Sequence, residues 1–182
     1  GGLGTALVAL YINPAISAWL VIPLGILGGL TFGALWAIIP GYLQAYRGSH
    51  IVITTIMFNF LASALMVYLL VHVLREVGQM SPQSKDFPDA AWIPFVHDIF
   101  ASMGYKIADS PLNLSILIAL IFSVLVWFFL WHTRWGFAIR ATGKSPDAAI
   151  YSGINPKMII IVTMCISGAL AGLVGINELM GV

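Results

Sequence analysis

Long apolar runs alternate with short clusters of glycine, proline and charge along the whole chain. Residues 2–12 read as the tail of one helix, ended by Asn13-Pro14, and residues 15–39 form a full run ended by Pro40-Gly41. Residues 51–74, 111–131 and 156–177 form three more. A helix rises about 1.5 Å per residue, so roughly 20 apolar residues cross the hydrocarbon of a bilayer. The pattern therefore predicts an all-α, multi-pass transmembrane bundle of about four complete spans plus a partial one.

The connections are unequal. Residues 41–50 are short, whereas residues 75–110 are long and hold Pro82, Pro88, Pro94 and most of the acids. Within that stretch Phe95, Val96, Ile99, Phe100 and Met103 recur at helical spacing before Gly104, a pattern equally served by an amphipathic helix on the membrane surface or a loop packed on the bundle. Residues 133–157 hold Arg134, Arg140, Lys144 and Lys157 against one acid, Asp147, and the short connection holds Arg47. The long one mixes Arg75, Lys85 and Lys106 with Glu76, Asp86, Asp89, Asp98 and Asp109. Cytoplasmic loops carry the excess of Lys and Arg, which places 41–50 and 133–157 in the cytoplasm and 75–110 outside. Trp127, Trp131 and Trp135 then fall at the cytoplasmic end of their span, where aromatic belts form.

Composition agrees with a lipid solvent. The chain is 60% hydrophobic and 8% charged, with mean hydropathy +0.97, whereas a water-facing domain needs about 25% charged residues. A net charge of +1 offers nucleic acid no attraction. The single cysteine, Cys165, cannot form an internal disulfide and suits a small packing position. His50, His72, His97 and His132 lack metal-ligand spacing, no Gly-x-Ser-x-Gly nucleophile or phosphate loop is present, and an enzyme is disfavoured. No ionisable residue lies deep in a span, which disfavours an ion-coupled secondary transporter. The chain opens on Gly1 rather than methionine and stops at Gly181-Val182 just after an apolar run, as expected of a piece of a longer membrane protein.

Gly25, Gly29 and Gly33 recur every fourth residue, as do Gly168 and Gly172 beside Ser167, Ala171 and Gly175. Small-residue stripes let helix backbones approach closely in lipid, where burial from water no longer drives association. The 111–131 run is Leu, Ile, Val and Phe with little that is polar, and is expected to face lipid. Thr55, Asn59 and Ser63 also recur every fourth residue; such a polar stripe serves either interhelical hydrogen bonds or a wet translocation path. Glu178, beside Asn177, lies close enough to a span end to reach the interface.

The 133–157 connection is the most informative segment. Ser145 suits an N-cap, Pro146 the first helical position, and Asp147 the positive end of the helix dipole, while Gly153 is a stop. Asn155-Pro156 then restarts a helix by the same device. A short helix over 146–152, set in a basic loop between two spans, is predicted.

Asp147-Ala148-Ala149 followed by Gly153 resembles the EAA-type loop of ABC importer permeases, with Asp in place of Glu. The wider string Gly136-Phe137-x-x-Arg140-Ala141-x-Gly143, then Gly153-Ile154-Asn155, is similar to the simple-sugar and nucleoside branch, related to ribose and branched-chain amino-acid permeases. So are Gly33-Ala34-Leu35-Trp36, Pro40-Gly41-Tyr42-Leu43, Ile53-Thr54-Thr55-Ile56-Met57-Phe58-Asn59-Phe60 and Gly168-Ala169-Leu170-Ala171-Gly172, in order and spacing. His50-Ile51 stands where many members carry Asn-Glu.

The resemblance implies one permease domain over residues 1–182 with no cofactor of its own, and ATP hydrolysed on a separate ATP-binding subunit. The short helix would be the coupling helix docked there. Arg140, Lys144 and Asp147 would make polar contacts, Ala148 and Ala149 a close flat approach, and Gly143 and Gly153 would belong to the same coupling segment. Positive-inside topology alone also accounts for Arg140 and Lys144. A second permease subunit, identical or not, and an extracytoplasmic substrate-binding protein or lipoprotein are implied partners. Implied cargo is a nucleoside first, a simple sugar second and a branched-chain amino acid third, across the bacterial inner membrane. An ATP-independent secondary transporter is the alternative from another class.

Overall fold

The computed structural model describes residues 1–11, 18–74 and 115–180. Its helices are α1 (Gly2–Tyr11), α2 (Ala18–Arg47), α3 (Ile51–Leu69), α4 (Ser115–His132), α5 (Arg134–Lys144), α6 (Pro146–Tyr151), α7 (Pro156–Gly172) and α8 (Val174–Met180). Four stretches are long and apolar enough to cross a membrane: Leu20–Arg47, Ile51–Val73, Ser115–His132 and Pro156–Leu179. Asn13-Pro14 and the pattern over residues 95–103 lie outside the described residues.

Two expected boundaries are corrected. The second helix does not end at Pro40-Gly41; α2 runs through Pro23 and Pro40 to Arg47. Proline removes one backbone donor, a loss that membrane helices tolerate when neighbours hold the segment. Here Pro40, Gly41 and Ala45 are buried, and the Gly41 backbone sits against the Met164 side chain of α7. The connection to α3 shrinks to Gly48, Ser49 and His50, with Gly48 at φ +63° making the turn. At the other end, the expected single helix over 156–177 is two. Gly172 is pressed on the backbone of Gly29, the Leu173 amide donates to the Leu170 carbonyl at 3.1 Å, and the chain restarts as α8. Ile176, 2% exposed, anchors that restart.

The core is an antiparallel seam between α2 and α7. Val21, Gly25, Gly29, Gly33, Ala37, Gly41 and Ala45 form one buried line along α2, one residue per helical turn. The space a side chain on Gly33 would need is filled by the Gly168 carbonyl, and that on Gly172 by the Gly29 carbonyl. α1 joins the seam where Gly4 meets Gly28, and its fully buried Thr5 lies beside Gly29. Contact this close maximises dispersion between backbones, which is what holds helices together when lipid is as apolar as leucine. The small-residue stripes seen in the sequence thus meet each other.

α3 and α4 lie outside this seam and bury no residue. α3 leans on α2 through an edge-to-face pair, Trp36 and Phe58, with ring centres 5.9 Å apart, and its last turn, Leu70–Leu74, widens to a π-type turn. The start of α4 is tied to α8 by the Ser115 hydroxyl donating to Asn177 Oδ1 at 2.8 Å. At the opposite end the Lys157 ammonium sits 5.3 Å over the Tyr46 ring. The two basic connections therefore share one end of the bundle, as the charge pattern predicts.

Candidate functional site

That shared end carries a folded corner, α4–α5–α6–α7. Thr133 is the first joint: its hydroxyl donates to the Phe129 carbonyl at 2.6 Å, closing α4, and accepts from the Gly136 amide at 3.1 Å, opening α5. Gly136 is buried against the carbonyls of Phe129 and Leu130, a place no side chain fits. Sequence reading missed α5, because Gly136 and Gly143 read as loop residues. The signal was the buried line Gly136, Ile139 and Thr142, partly or wholly covered at helical spacing.

Ser145 is the second joint. Its amide donates to the Ala141 carbonyl at 3.1 Å and its hydroxyl accepts from the Ala148 amide at 3.3 Å, so one residue ends α5 and starts α6. α6 covers Pro146–Tyr151, as the cap pattern predicts to within a residue. It ends in a Schellman motif: the Gly153 amide donates to Ile150 O and the Ile154 amide to Ala149 O, each at 2.9 Å. Gly153 sits at φ +78°, a conformation that costs other residues about 1 kcal/mol or more. Asn155 Oδ1 then accepts from the Lys157 amide at 3.1 Å and opens α7. A six-residue helix is too short to persist alone; these caps hold it.

The residues singled out from sequence separate into three places. Asp147 and Ala148 are exposed on α6, and Gly143 and Lys144 are exposed at the end of α5. Ala149 is 2% exposed and points into the chain, so it seats α6 on its own bundle rather than presenting a flat outer surface. Arg140 is half-buried, its guanidinium 4.3 Å over the Trp131 ring. Sequence reading missed Ile150, 57% exposed, and Tyr151, 93% exposed, which with Asp147 and Ala148 make up the outward face of α6. Their signal was two large apolar side chains in the last turn of a helix with only one inward position.

Thr55 of α3 is half-buried and its hydroxyl donates to the Ile51 carbonyl of its own helix at 2.8 Å. Asn59 and Ser63 are exposed. Asn59 and Ser63 are therefore uncovered by any described helix, whereas Thr55 is partly covered.

Residues 2–181 match the family described as branched-chain amino acid transport system / permease component. The chain belongs to this permease family. Among curated proteins, the permease chain is 34% identical to the nucleoside ABC transporter permease protein NupB of Lactococcus lactis subsp. cremoris over 165 residues, 90% of this chain and 44% of that one. It is 34% identical to the guanosine ABC transporter permease protein NupP of Bacillus subtilis over 164 residues, 90% and 45% respectively. To the ribose import permease protein RbsC of Escherichia coli it is 28% identical over 180 residues, 98% and 48%. The permease chain spans about half the length of these relatives. No solved structure matches it. Family membership and four membrane-length helices make it a multi-pass protein of the inner membrane.

Proposed function

We propose that this chain supplies half of the membrane-spanning subunit of an ATP-driven importer, and that the cargo is a nucleoside or, as second choice, a simple sugar. The observation that carries the reading is α6: a six-residue helix, capped at both ends, fixed to α5 through Ser145 and to the spanning α7 through Asn155, and presenting Asp147, Ala148, Ile150 and Tyr151 outward. A stiff element joined to spanning helices without slack transmits displacement; a floppy loop absorbs it. Docked on a separate ATP-binding subunit, α6 passes closure of that subunit to α5 and α7 as rigid-body rocking. The relatives at 34% identity are named for nucleosides and guanosine, which favours that cargo over sugars and over branched-chain amino acids. Their names also favour an ATP-driven system over an ATP-independent transporter. A second permease subunit and an extracytoplasmic binding protein complete the assembly, and Asn59 and Ser63 face the route between subunits.

The test uses the full-length permease with its ATP-binding subunit in cells supplied with labelled nucleoside or ribose. Replacing Gly153 by valine strains the α6 stop, and the variant is expected to insert in the membrane, lose co-purification of the ATP-binding subunit and lose uptake. Uptake and complex formation at parental levels would leave α6 a well-capped connector with no coupling role.

A further inference from the structure

We propose that the corner between α4 and α5 is a binding site for the phosphodiester headgroup of an anionic phospholipid, with the acyl chains laid along the outer face of α4. The first observation is the placement of Arg140. Its guanidinium is drawn back 4.3 Å over Trp131, a residue in the last turn of a membrane-length helix, and its Nε is buried without a hydrogen-bond partner. The charge thus sits at the depth of the aromatic belt, not at the tip of the cytoplasmic corner where Tyr151 projects. The second is the composition of α5. It carries Arg134, Arg140 and Lys144 and no acidic residue. Arg134, Phe137, Ala141 and Lys144 are spaced three and four apart on one face, with Phe137 61% exposed between the two exposed cations. Cations flanking an exposed aromatic are what an interfacial helix presents to headgroups.

The third is what lies beyond. α4 buries none of its residues, and Val124, Trp127 and Trp131 are all more than half exposed. An apolar face running into a cationic corner matches the two halves of a lipid in order. Cations near an anionic leaflet each strengthen binding about fivefold, and Arg140 and Lys144, four residues apart on α5, are the pair placed to share one headgroup.

The experiment is native mass spectrometry of the purified full-length permease, titrated with phosphatidylglycerol and, separately, with phosphatidylcholine of the same chains. Phosphatidylglycerol is expected to be retained preferentially, and Arg140→Gln and Lys144→Gln each to lower its affinity about fivefold while leaving phosphatidylcholine unchanged. Lys144 is exposed, so its variant reports even where loss of the Arg140–Trp131 contact harms folding. Equal retention of the two lipids overturns the site. Displacement of phosphatidylglycerol by millimolar inorganic phosphate makes it a free-phosphate site and overturns the lipid. Variants that retain the lipid but release the ATP-binding subunit assign the cations to a protein contact and overturn it as well.

Discussion

The backbone of Gly33 lies against the Gly168 carbonyl so closely that a side chain on Gly33 would occupy that peptide. The neighbour is backbone, and backbone cannot turn aside as a flexible side chain does. Gly33→Val is therefore expected to force α2 and α7 apart and to destabilise the full-length permease by about 1–3 kcal/mol, read as a fall in Tm of the detergent-purified protein.

Gly143 provides the contrasting case. A methyl group there meets nothing within 4 Å, and the residue is helical with ordinary φ. Gly143→Ala is expected to leave stability unchanged or raise it by about 0.5–1 kcal/mol through reduced backbone freedom of the unfolded chain. Since nothing within the chain is disturbed, loss of uptake with an unchanged Tm would place a partner subunit against this glycine.

Ser145→Ala removes the hydroxyl that opens α6 and spares the amide that closes α5. Loss of such a cap costs about 1 kcal/mol. Hydrogen exchange of the Ala148 amide is expected to accelerate about fivefold, with the amides of α5 unaffected.

Tyr151 touches almost nothing of its own chain, being 93% exposed. Tyr151→Ala is expected to keep the Tm within about 0.5 kcal/mol of stability and to weaken co-purification of the ATP-binding subunit at least tenfold, the range typical of a central aromatic anchor. Undiminished co-purification would move the contact to Asp147 and Ala148.

The spans and the end at which the basic loops gather were legible because each rests on one-dimensional signals, hydropathy and charge. The α6 caps were legible too, since Ser145, Pro146, Gly153 and Asn155 act on neighbours in the chain. Pro40 misled because its effect depends on what covers it, and here α7 does. Ala149 misled for a related reason: a motif records which residues recur and not which way they point, and on so short a helix one position in six faces inward. α5 was hidden by its glycines, which serve a tight crossing at Gly136 and an open surface at Gly143, two uses that look alike in sequence. The stripe of Thr55, Asn59 and Ser63 reads two ways in sequence because spacing does not say whether a polar group is spent within its own helix, as the Thr55 hydroxyl is, or left exposed, as Asn59 and Ser63 are.

The seam of α2 and α7 repeats itself every turn, and this has a consequence for alignment. Gly33 already meets both Gly168 and Gly172, and Gly168 meets both Gly33 and Ala37, so a slide of one turn, about 5.4 Å, would exchange one small-against-small contact for another. The middle of the seam works like a ruler with identical marks and does not choose its own zero. That choice falls to the ends, where Lys157 finds Tyr46 on one side and Thr5 with Gly4 and Gly28 locks the other. Residues outside the repeating marks thus set the phase of the whole pair.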